Sequence, residues 1–121
     1  MDSAFLIIPT SVDLVRIAAK HLVYITSDGN YSTIVQTGNE SRVVTTQLGK
    51  IERMITDQLS AFDRAFVRIG KSLIINANTV HYINLQKQKL VLVDMLQNRY
   101  SLTASREALK ALKEQIERRG L

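Results

Sequence analysis

Hydrophobic and polar positions alternate over most of the chain, in short runs broken by polar turns. A period of two marks strands with one face buried, and its repetition here predicts an antiparallel β domain. Ala4 to Ile8 is the first predicted strand, followed by Leu14 to Ala18 and Leu22 to Ile25. Ser27-Asp28-Gly29-Asn30 reads as a turn, because Asp, Gly and Asn tolerate positive φ. Tyr31 to Gln36 resumes a strand, and Thr37-Gly38-Asn39-Glu40 turns the chain into Ser41 to Val44. Farther on, Phe66 to Ile69 and Leu73 to Ile75 flank the break Gly70-Lys71-Ser72. Val80 to Leu85 and Leu90 to Val93 form a hairpin across Gln86-Lys87-Gln88-Lys89. A turn at Asp94 to Asn98 leads into the last strand, Arg99 to Leu102.

Two stretches follow a different period. Val44, Leu48, Ile51, Ile55 and Leu59 recur at steps of three and four, which predicts one face of a helix with Thr46 as its N-cap. Gly49 inside it costs about 1 kcal/mol of helix propensity. Ser105 opens a final helix whose apolar stripe is Leu109, Leu112 and Ile116, with Lys110, Lys113, Arg118 and Arg119 off the stripe.

At 121 residues the chain fits a single domain over 1–121, large enough to bury a core without staples. It has no cysteine, which excludes disulfides, thiolate nucleophiles and cysteine metal sites. No run reaches the ~18 apolar residues of a membrane helix, and no basic stretch precedes Ala4 to Ile8, so the expected location is cytoplasmic. His21 and His81 lie far apart with no triad or metal partner in view, and neither paired carboxylates nor a Gly-rich phosphate loop is evident. The expectation is a protein that is no enzyme and carries no cofactor.

Charge changes the picture more. Residues 1–60 hold five Lys/Arg against six Asp/Glu, whereas residues 61–121 hold eleven against five. A basic half on a near-neutral half suggests a polyanionic partner.

The densest cluster is Phe66-Val67-Arg68-Ile69-Gly70-Lys71-Ser72-Leu73-Ile74-Ile75-Asn76. It resembles the signature of the LytTR family of bacterial DNA-binding output domains, F-x-R-x-x-x-S followed by an apolar strand and an Asn. Leu22-Val23-Tyr24-Ile25 with Asp28-Gly29-Asn30-Tyr31 is similar to the family's I-x-Y-I and G-N-Y segment. Leu48 fits its middle helix, and Leu102-Thr103-Ala104-Ser105-Arg106 resembles its closing L-x-x-S-R. The blocks keep the family's order across about 20–118. Gly70 departs from the pattern, since many members carry His there.

The resemblance implies about ten short strands in stacked antiparallel sheets, with a middle and a C-terminal helix. It also implies a transcription regulator that reads bases in the major groove of duplex DNA through loops. The implied base contacts are Asn30 or Tyr31, Lys71 and Arg106. Arg68, Ser72, Ser105 and Lys110 suit the DNA backbone. Repeated half-sites would place two copies side by side as a homodimer on the DNA. A receiver domain or sensor kinase would lie outside this chain, in the manner of a two-component system.

Each residue also has a structural reading. Asp28-Gly29-Asn30 is adequate as a hairpin turn, Tyr31 as a cross-strand packer, and Arg68 as the partner of a carboxylate such as Asp63. Asn76 suits a hydrogen bond to backbone, Ser105 a helix cap, and the basic side of the last helix a solvated face. The competing functional class is a non-catalytic protein-interaction module whose basic face meets an acidic partner.

Overall fold

The computed structural model describes residues 4–60 and 65–119. Among the described residues, ten strands lie in three antiparallel sheets with two α-helices. The first sheet is a hairpin of β1 (Phe5–Pro9) and β2 (Leu14–Ala18). The central sheet has five strands in the order β5 (Glu40–Val44), β4 (Ser32–Gln36), β3 (Leu22–Ser27), β7 (Leu73–Asn76) and β6 (Phe66–Ile69). The third sheet runs β10 (Arg99–Thr103), β9 (Lys89–Val93), β8 (Val80–Asn84). Helix α1 (Leu48–Gln58) follows β5, and α2 (Arg106–Arg119) follows β10.

The central sheet is covered on both faces, and the side-chain alternation of its strands feeds two separate cores. Leu22 and Ile25 of β3, Ile34 of β4 and Ile74 of β7 pack with β1, β2 and the Leu48, Ile51 and Ile55 stripe of α1. Val23, Val35, Ile69, Leu73 and Ile75 pack instead with Leu90, Leu92 and Tyr100 and with Leu109 and Leu112 of α2. Double coverage explains why β7 reads as an unbroken apolar run: all four of its residues are buried. Its closing Asn76 is satisfied by backbone, donating from Nδ2 to Leu22 O at 2.8 Å and accepting from Asn78 N at 3.0 Å.

The strands and helices fall where the hydrophobic pattern places them, with corrections at both ends of α1. Gln47, not Thr46, occupies the N-cap position, and its side chain caps nothing. Thr46 lies one residue too early. The buried Ser32 hydroxyl donates to its carbonyl at 2.6 Å and holds it in the bend after β5. Val44, expected on the helical stripe, ends β5, yet it joins the same core as Leu48. Leu59 follows the helix and closes it with an N–H bond to Ile55 O at 3.0 Å. At the other end of α1, Gln58 reaches β1: its Nε2 donates to Ile7 O at 2.8 Å and its Oε1 accepts from Ile7 N at 2.7 Å.

A polar cluster ties the central and third sheets together at one end. The carboxylate of Asp94, 4% exposed, accepts from Tyr100 Oη at 2.6 Å, Gly38 N at 3.0 Å, Leu96 N at 2.8 Å and Asn98 N at 3.0 Å. Tyr100 Oη in turn accepts from Asn39 N at 2.9 Å. The β4–β5 turn is thereby docked on the β9–β10 turn, with Gly38 and Asn39 at the positive φ values the tight turn needs. Burial pushes the Asp94 carboxyl upward, but the donated hydrogen bonds outweigh it and hold the group well below the usual carboxylate range. Burial and the bond to Asp94 push the Tyr100 phenol up to about 12.

Two expectations follow. Ile75, fully buried on β7, should cost about 2–5 kcal/mol when replaced by Ala, measured by urea unfolding. Asp94 is more acidic folded than unfolded, so its contribution is full above the unfolded value of about 3.9 and fades as pH falls below it. Tyr100 is less acidic folded, so its contribution is full below about 10 and fades as pH rises toward 12. Asp94→Asn should lower stability at neutral pH and flatten the acid limb of a stability–pH profile. An acid limb as steep as the parent's would refute this role.

Candidate nucleic-acid interface

Antiparallel pairing of β3 with β7, Thr26 opposite Leu73, brings two loops to the same end of the central sheet. One is 28–31, between β3 and β4; the other is 70–72, between β6 and β7. Ser27 N donates to Ser72 O at 2.9 Å and joins them. This end is opposite the Asp94 tie, because β4 runs from one loop to the other.

Loop 28–31 is shaped by its own polar groups. Gly29 adopts φ +107° and donates from its N–H to Ser27 Oγ at 3.2 Å. Asp28 Oδ1 accepts from Tyr31 N at 3.3 Å, and Asp28 N donates to Tyr31 O at 3.1 Å. The turn reading of Asp28-Gly29-Asn30 therefore holds, and the result leaves Asn30 exposed and Tyr31 half exposed. Tyr31 does not serve as a buried cross-strand packer.

Loop 70–72 is a three-residue hairpin turn closed by Ile69 opposite Leu73. Gly70 supplies a φ of +65°, which a residue with a Cβ adopts only with strain. Lys71 and Ser72 are exposed, and the Lys71 ammonium forms no hydrogen bond or ion pair among the described residues. Arg68, two residues before Gly70 on β6, holds the loop through its carbonyls. Its Nε donates to Gly70 O at 3.0 Å, its Nη2 to Lys71 O at 2.8 Å, and its Nη1 to Glu52 Oε1 of α1 at 2.7 Å. The carboxylate partner is thus Glu52; Asp63, the partner considered from the sequence, lies outside the described residues.

The start of α2 forms the third element. Ser105 caps the helix, its Oγ accepting from Ala108 N at 3.1 Å. Arg106 is exposed and donates from Nε to Leu85 O at 3.4 Å, which sets it beside the β8–β9 turn. Its terminal Nη groups form no hydrogen bond among the described residues. Ala104 N bonds Gln88 O at 3.3 Å and fastens the same turn. Along the helix Lys110 and Arg118 are exposed, Lys113 pairs with Glu117 at 2.7 Å, and the Arg119 side chain lies outside the described residues. Pairing of Asn84 and Thr103 with Lys89 puts the β8–β9 turn and the start of α2 at the end of the third sheet remote from Asp94.

Both sheets are tied at one end by Asp94 and by the short 76–80 connection, and both carry their exposed polar loops at the other. Ile69 and Leu73, which flank Lys71, share a core with Leu85, Ala104 and Ala108, which flank Arg106. Among the described residues no group of His, Cys, Asp and Glu could hold a metal, and no helix is long and apolar enough to cross a membrane. Sequence reasoning missed Glu52. As one polar position on a helix surface it carries no signal, and its meaning comes only from the strand packed beside it.

The described residues thus present a β scaffold with exposed basic side chains at its loop-bearing ends. The sequence model of the LytTr DNA-binding domain matches residues 13–117, and the chain belongs to that family of non-catalytic DNA-binding domains. Its fold is similar to that of a LytTr DNA-binding domain from Bacillus cereus, with a TM-score of 0.62 and 13% identity over 95% of this chain and 98% of that one. No curated protein matches the sequence.

Ser105→Ala should cost about 1 kcal/mol of stability in urea unfolding, whereas Ser105→Asp should retain the cap and the stability. Equal losses in the two variants would show that the capping bond is not what matters there.

Proposed function

We propose that this domain recognises specific duplex-DNA sequences by placing loop side chains in the major groove, as the output module of a bacterial response regulator. The observation that carries the reading is the state of Lys71 and Arg106. Lys71 is exposed on a loop and Arg106 on the first residue of α2, both at the untied ends of packed sheets, with donors left uncommitted among the described residues. Arg106 offers two parallel donors to a guanine edge, and Lys71 offers a point charge to guanine O6 or N7. Asn30 and Tyr31 add an amide and a phenol from the adjoining loop.

Ser72, Ser105 and Lys110 suit phosphate oxygens, which set register without reading sequence. The capped N-terminus of α2 supports this, because its amides favour an anion. Arg68 is less suited to a direct phosphate contact, since three of its donors are engaged within the protein. One module offers few base-reading groups. Two copies on repeated half-sites, as a homodimer on the DNA, multiply specificity without new contacts. Regulatory input would come from a receiver domain or sensor kinase outside this chain.

In-vitro selection from a random duplex pool tests the reading, and a recovered motif should be bound in preference to a scrambled duplex at fixed salt. Affinity should also fall by roughly 0.9 log units per neutralised phosphate for each tenfold rise in salt. Lys71→Ala and Arg106→Ala should each weaken binding to the selected site by about 1–3 kcal/mol and relax preference at one base position. Fluorescence anisotropy with single-base variants of the site checks this. Parent-like binding by both variants would remove those residues from the reading surface.

A further inference from the structure

Arg68 fans three donors across three acceptors: the Gly70 and Lys71 carbonyls of its own hairpin and the Glu52 carboxylate of α1. The guanidinium grips the two carbonyls of the turn through Nε and Nη2 and has Nη1 left for a partner outside the loop. That partner is Glu52 of α1, which anchors Nη1 at 2.7 Å and ties the hairpin to a separate element. Helix α1 is itself rigidly seated, with Ile51 fully buried and Leu48 and Ile55 nearly so. Gly70 makes the loop depend on this clamp, because it takes φ +65° with no side chain to restrict its backbone.

We infer that Glu52 is a positioning residue for DNA recognition: through Arg68 it holds the loop that presents Lys71. The inference rests on the proposed reading role of Lys71. It assigns a negative charge a supporting part on a surface that meets phosphates. The charge is tolerable because it neutralises Arg68, so the pair adds no net charge to the interface. Two consequences separate this from a phosphate-binding role for Arg68. A lysine at position 68 keeps the charge but loses the planar fork. A glutamine at position 52 keeps an acceptor but releases the positive charge of Arg68.

The test uses the whole chain, the duplex recovered by selection and a scrambled duplex of the same composition. Arg68→Lys and Glu52→Gln should each reduce the ratio of specific to scrambled affinity by about tenfold. Glu52→Gln should at the same time bind the scrambled duplex as well as the parent does, or better, with a steeper salt dependence. In the free protein, backbone NMR order parameters at Lys71 and Ser72 should drop in both variants while those of β3 and β7 stay at parent values. Unchanged order parameters would overturn the inference whatever the DNA results. Altered order parameters with undiminished discrimination would also overturn it. A parent that does not distinguish the two duplexes would instead sink the reading of Lys71 on which the inference stands.

Discussion

The structure depends on burying both faces of the five-stranded central sheet. A strand buried on one face can leave alternate side chains in water; β3, β4 and β7 have little room for this, because their apolar residues are divided between one core and the other. Polar chemistry is thereby expelled from the sheet surface to its ends and to the outer layers. At one end the expelled groups are consumed internally, in the Asp94 and Tyr100 cluster. At the other they remain available, in loops 28–31 and 70–72. The polarity of the molecule, one end closed and one end open, follows from this single packing requirement.

The open end is not loosely held. Each of its exposed side chains sits next to a group whose hydrogen bonds define the backbone beneath it. Tyr31 and Asn30 stand on the Asp28 turn, Lys71 on the Arg68 clamp, and Arg106 on the Ser105 cap. Holding a donor in place before a ligand arrives reduces the ordering cost of binding. The rigid supports and the free donors are therefore parts of one arrangement, with Asp28, Arg68 and Ser105 as the supports.

Much of this was legible in the sequence. Ten apolar runs between turn residues mark the ten strands, since each run is short and bounded. The step from period two to steps of three and four marks α1. The start of that helix was misplaced because local preference favours Thr as a cap, whereas the buried hydroxyl of Ser32, fourteen residues away in sequence, claims the Thr46 carbonyl. The Asp94 network was invisible for the same kind of reason. Asp94 reads as a turn residue, and its partner Gly38, like the Asn39 that donates to Tyr100, comes from a turn in another sheet. Lys71 and Arg106 could be singled out as loop cations, but Glu52 could not, because its role exists only across a layer boundary.

The bond between Gln58 and Ile7 has a consequence for how the molecule meets its own copies. Ile7 directs both backbone groups away from β2, so by alternation Phe5 and Pro9 line the same outer margin of the hairpin. Pro9 has no N–H to offer there, and the Gln58 amide already occupies both groups of Ile7. An incoming strand would find a margin with one donor left of three positions. A single glutamine and a single proline thus act as a selvedge, finishing the β1 margin of the hairpin against the edge-to-edge growth that unpaired strands invite.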